Sequence, residues 1–62
     1  MISIGQQIKS GRISAGLTQE QLGEQIGFTK QEVSRWESDK HTPRFCTISK
    51  IQKVLNIIIE MP

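Results

Sequence analysis

The 62-residue sequence contains one cysteine, one histidine, two prolines, one tryptophan and no tyrosine. Cys46 has no second cysteine with which to close an internal disulfide. Together with His41 it supplies too few ligands for a zinc site, so neither a metal nor a cofactor is expected. A catalytic reading also lacks material, because no nucleophile stands with a credible base and orienting group, and the chain is not expected to be an enzyme. No apolar run has the length of a membrane span or the form of a signal peptide, which points to a soluble cytoplasmic protein with no membrane partner. There is no internal repeat, low-complexity tract or linker, so residues 1–62 read as a single domain. Excess charge is small as well. Eight Lys and Arg against six Asp and Glu give a net charge of +2 and a pI near 9.0. That suits a nucleic-acid partner but is shared by many proteins that bind none. A chain this short buries only about 60% of its unfolded surface, so a second chain would add useful stability.

What is present is concentrated in residues 18–38, TQEQLGEQIGFTKQEVSRWES. Thr18 followed three residues later by Gln21 has the spacing of a capping box, in which each side chain satisfies an amide at the helix start. Leu22 and Ile26 then share one helix face, with Glu20, Gln21, Glu24 and Gln25 on the others. Gly27 supplies the positive φ that commonly ends a helix. The pattern restarts after Phe28, with Thr29 and Glu32 in the same spacing. Val33 and Trp36 face inward, leaving Lys30, Gln31, Ser34 and Arg35 outside. Gly23 is placed for a close approach between the two helices. Two capped helices joined by one tight turn match the helix-turn-helix, whose second helix enters the DNA major groove.

On either side the periodicity continues. The first helix should start near Ser3 and run toward Ala15, with Ile4, Ile8 and Arg12 in one row. An arginine on an apolar row needs a partner. Gly11, in the helix interior, costs about 0.5–1 kcal/mol relative to alanine and weakens the helix. Gly16 reads as the stop and Leu17 as the apolar residue before the next cap. A polar loop, Ser38 to Pro43, precedes a fourth helix from Phe45 to Leu55, whose apolar row is Ile48, Ile51 and Leu55, extended by Phe45 and Val54. Lys50 and Lys53 fall on its solvated face.

GLTQEQLGEQIGFTKQEVSRWE resembles the helix-turn-helix of the Cro and lambdoid phage repressor (XRE) family. IGQQIKSGRISAG resembles that family's first helix, and KHTPRF with TISKIQKVL its loop and fourth helix. The resemblance implies an all-α, compact, four- or five-helix domain like that of the lambda repressor. It implies a structural ion pair between Arg12 and Glu37, which occupies the place of the family's partner glutamate. It also implies phosphate contacts by Gln19 and Thr29, at the starts of the second and third helices, and by Lys40 and Arg44 in and after the loop. Base reading would fall to Lys30, Gln31, Ser34 and Arg35, whose donors and acceptors match base edges in the major groove. One departure stands out. Where the family usually has glycine after the third helix, with positive φ close to a phosphate, this chain has Asp39.

The ending, NIIIEMP, departs too. Three successive isoleucines favour a short strand, with Ile57, Ile59 and Met61 on one face and Ile58 on the other; Ile51, Leu55 and Ile58 equally fit a fourth helix that continues. On either pattern, residues 56–62 read as a dimerisation tail carrying Ile57, Ile58, Ile59 and Met61, since an unpaired strand edge or apolar face asks for a two-fold partner. The expectation is therefore a transcriptional regulator, a repressor that binds a near-palindromic double-stranded DNA operator as a homodimer. The alternative is an antitoxin, resembling the HipB type, that binds a protein toxin and regulates its own operon.

Overall fold

A computed structural model describes residues 2–60. Four helices follow one another: α1 (Ile4–Ser14), α2 (Gln19–Ile26), α3 (Lys30–Glu37) and α4 (Phe45–Leu55). Among the described residues there is no strand. The first three helices begin at hydroxyl caps, Ser3, Thr18 and Thr29. Ser3 with Gln6 and Thr18 with Gln21 form full capping boxes. At Thr29 only half of the expected box is present: Thr29 Oγ1 accepts from the Glu32 N–H at 3.3 Å, while Glu32 lines a surface depression with Arg35, Trp36, His41 and Thr42 instead of reaching back.

The helices also end alike. Each is followed by a residue at positive φ, namely Gly16, Gly27, Asp39 and Asn56. The next N–H then turns back onto the last helical turn: Leu17 to Arg12, Phe28 to Gly23, Lys40 to Arg35 and Ile57 to Gln52, all carbonyl acceptors at 2.8–3.1 Å. This is the left-handed stop that satisfies otherwise orphaned carbonyls. Its usual apolar contact follows in three of the four cases, because Leu17, Phe28 and Ile57 all pack against the core.

That core is built from one face of every helix. Ile8, Leu22, Val33 and Ile51 are fully buried, with Ile26, Trp36, Ile48, Leu55 and Ile59 around them. Ile4 and Val54 pack against its edge. Phe45, expected to extend the α4 row, is instead 78% exposed. Helical side chains lean toward the N-terminus, so a residue in the first position of α4 overhangs the start of the row.

As far as Glu60, the last described residue, the tail is neither strand nor a continuation of α4. Asn56, at φ 55°, ends the helix, and the chain turns back over α1. Ile59 is buried and Ile57 half-buried in the chain's own core, while Ile58 is 85% exposed. Two glutamines hold the backbone in place. Gln7 accepts from the Glu60 N–H at 2.7 Å and donates to the Glu60 carbonyl at 2.8 Å; Gln52 accepts from the Ile59 N–H at 2.8 Å. Gly11 has a purpose here, since a Cβ at that position would lie 2.6 Å from Ile57 Cδ1. The helix-weakening residue is the seat of the tail. Met61 lies outside the described residues.

Candidate nucleic-acid interface

α2 and α3 meet around an inner wedge that leaves the outer face of α3 unoccupied. Trp36 packs edge-on against Phe28, with ring centroids 5.0 Å apart and planes at 70°, a favourable aromatic geometry. Val33 is fully buried beside them. Gly23 lets the turn close, because a Cβ there would sit 2.5 Å from the Phe28 carbonyl oxygen. The close approach is thus to the backbone of the turn.

The Arg12–Glu37 pair is present and well formed. Arg12 Nε donates to Glu37 Oε2 at 2.6 Å and Nη2 to Oε1 at 3.1 Å, a two-point contact between side chains only 12% and 4% exposed. Arg12 Nη1 donates to the Leu17 carbonyl at 2.8 Å, and Gln19 Nε2 donates to Glu37 Oε1 at 3.1 Å. No buried side-chain polar atom among the described residues lacks a partner. The cluster therefore ties the end of α1, the start of α2 and the end of α3 together, and the planar guanidinium suits it to this fork.

Lys30, Gln31, Ser34 and Arg35 are all exposed. With Gln19 they line one shallow depression between the start of α2 and the outer face of α3. The structure thus brings Gln19, expected at a phosphate, and the four expected base readers onto one surface. Thr29 is exposed and uses an oxygen lone pair to cap α3. Lys40 and Arg44 are exposed at the two ends of the following loop, which Pro43 anchors by burial. Of the expected dimerisation residues, the three that are described fall in different surroundings. Ile57 and Ile59 serve the chain's own core, and Ile58 stands out with Ile2 at the rim of a groove lined by Gln7, Ser10, Gly11 and Ser14.

Against known proteins, a family pattern described as Helix-turn-helix matches residues 8–58. The chain belongs to the helix-turn-helix family, in its Cro/C1-type branch. Relatives of this helix-turn-helix domain include the transcriptional activator BcrR of Enterococcus faecalis, 36% identical over 55 residues, which covers 89% of this chain and 26% of that protein. A putative multi-protein-binding factor 1 of Yarrowia lipolytica is 38% identical over 55 residues, covering 89% of this chain and 36% of the other. The domain therefore spans well under half the length of either relative. Among solved structures, the biofilm master regulator SinR in complex with DNA is 32% identical, with a TM-score of 0.81 and 90% of each chain covered. The P22 c2 repressor bound to a synthetic operator shares the fold at 22% identity, with a TM-score of 0.87 and 94% of this chain and 88% of that one covered.

Sequence reasoning missed several residues that shape this helix-turn-helix domain. Gly5 lets the start of α1 approach the end of α3, since a Cβ there would meet the Trp36 carbonyl oxygen at 2.2 Å. Gln7 and Gln52 fix the tail. Asp39 has the expected positive φ, 62°, and although exposed its carboxylate is engaged by the start of α1: it accepts from Ser3 Oγ at 2.8 Å and from the Gly5 N–H at 3.2 Å. For Gly5 a sequence signal existed, a glycine two positions after the predicted helix start. For the others the partner lies too far along the chain for local pattern to show it.

Proposed function

We propose that this chain is a sequence-specific DNA-binding regulator of transcription, a repressor that occupies a near-palindromic operator as a homodimer. One observation carries the proposal. The outer face of α3 presents two cations, an amide and a hydroxyl beside Gln19 on a single depression, and none of those four α3 side chains has a hydrogen-bonding task among the described residues. Gln31 suits adenine and Lys30 and Arg35 suit guanine, each good pair worth about 1–3 kcal/mol of discrimination. Gln19, Thr29, Lys40 and Arg44 would set register on phosphates, helped by the positive ends of α2 and α3. Relatives described as a transcriptional activator and as a regulator crystallised with DNA support this class of activity. The Arg12–Glu37 cluster acts from behind, holding α3 to α1 and Gln19 to both.

A homodimer would place two α3 helices in successive major grooves about 34 Å apart. With Ile57 and Ile59 committed to the fold, its apolar contact centres on Ile58 and Ile2. The repressor reading stands ahead of the antitoxin one because a solved relative that aligns over nearly its whole length is a DNA-bound regulator. Selection from a random-sequence duplex library tests the proposal. The expected result is enrichment of a two-fold symmetric site that binds two protomers; recovery of no sequence preference would overturn it.

A further inference from the structure

We infer that Asp39 is a positioning residue for DNA binding: it clamps the loop after α3 onto the start of α1, so that Lys40 is held in place for a phosphate while both oxygens of the exposed Asp39 carboxylate are engaged by α1. Asp39 occupies the left-handed position that ends α3, with its N–H on the Trp36 carbonyl at 3.1 Å and the Lys40 N–H on the Arg35 carbonyl at 3.0 Å. Glycine would make that turn at no steric cost, so the turn alone does not call for a carboxylate. What aspartate adds is a link across the fold. Both its oxygens are used, one by Ser3 Oγ and one by the Gly5 N–H, at the positive end of α1. That is where a negative side chain is favoured. Gly5 makes room for the link, since a Cβ there would lie 2.7 Å from Asp39 Oδ1. Of the four helix stops, this one is followed by an exposed lysine where the others carry an apolar residue packed on the core. The clamp supplies the anchoring that the missing apolar contact does not.

The inference rests on the DNA-binding reading, and the test separates the two. Asp39→Gly and Asp39→Asn have the same net charge and both accept positive φ, but only asparagine keeps a side-chain oxygen to accept from Ser3 or Gly5. Affinity for the duplex recovered by library selection is measured across a salt series, with thermal melts confirming that each variant is folded. The expected result is that Asp39→Gly binds about fivefold more weakly than Asp39→Asn near 0.15 M salt, with a log–log salt slope smaller by about 0.9, the share of one phosphate contact. Lys40→Ala should remove that same share from the Asp39→Asn protein and nothing further from Asp39→Gly. Ser3→Ala, which leaves the charge unchanged, should shift affinity in the same direction by a smaller factor. Equal affinity and slope for the two Asp39 variants would overturn the clamp; failure of the unmodified chain to bind the selected duplex would overturn the DNA-binding reading itself.

Discussion

Glu37→Ala removes the acceptor on which three structural elements converge. Arg12 would retain only the Leu17 carbonyl, and the Gln19 amide would lose its partner. Both members of the pair are largely shielded from water, at 12% and 4% exposure, so the cost is that of stranding a buried guanidinium, about 3–5 kcal/mol. A domain of this size is stable by only about 3–9 kcal/mol on a per-residue basis. The variant should therefore be close to its unfolding midpoint without denaturant. Trp36, the lone tryptophan, is buried against Phe28, and its fluorescence in a urea titration reports the transition. With a urea slope of about 1 kcal/mol/M, as befits a small protein, the midpoint should fall by roughly 3 M or the folded baseline should vanish. Replacing both charges, as Arg12→Met with Glu37→Leu, leaves nothing stranded and should recover most of the loss. A Glu37→Ala midpoint within about 1 M of the unmodified protein would mean that the pair behaves as an exposed one, worth at most about 1 kcal/mol, and would refute the reading that the Arg12–Glu37 cluster ties the three helices together.

Four further outcomes are expected. Gly5→Ala and Gly23→Ala press a methyl group onto backbone carbonyls at 2.2 and 2.5 Å and should each destabilise by about 1–3 kcal/mol in the same titration. Gly11→Ala meets side-chain ends and no backbone, Ile57 Cδ1 at 2.6 Å and Leu55 Cδ1 at 3.3 Å, and gains helix propensity, so it should change stability by less than about 1 kcal/mol. Gln7→Ala frees the backbone at Glu60, and hydrogen exchange should show the amides of residues 59 and 60 losing protection while those of α3 keep theirs. Ile58→Glu, at an 85% exposed position, should leave the melt unchanged within about 0.5 kcal/mol while sedimentation equilibrium shows a shift from dimer toward monomer; an unaltered mass would move the two-fold contact elsewhere.

The limits of α2 and the start of α3 were legible because their determinants are local, whereas the end of α4 was left open. A hydroxyl residue followed three positions later by an amide, and a glycine after the last apolar position, fix where a helix starts and stops within a few residues of chain. The exposed face of α3 was legible for the same reason, since the period that buries Val33 and Trp36 leaves Lys30, Gln31, Ser34 and Arg35 outside. What escaped is non-local. The carboxylate of Asp39 finds its partners 34 and 36 residues away, and Gln7 meets Glu60 across 53. Three consecutive isoleucines announce burial but not by whom, and here two of them turn inward onto Gly11 and the chain's own core. Arg12 lay between these cases. Its position on an apolar row demanded a partner, but only the family resemblance pointed to Glu37.

Discrimination between DNA sequences tests the central claim most directly. The ratio of affinities for the library-selected duplex and a scrambled duplex of equal length is measured at fixed salt for the unmodified chain and for Gln31→Ala and Arg35→Ala, with melts confirming the fold. The α3 face as base reader predicts that each substitution reduces this ratio by about 5- to 150-fold, the equivalent of 1–3 kcal/mol. Ratios unchanged in both folded variants would contradict it.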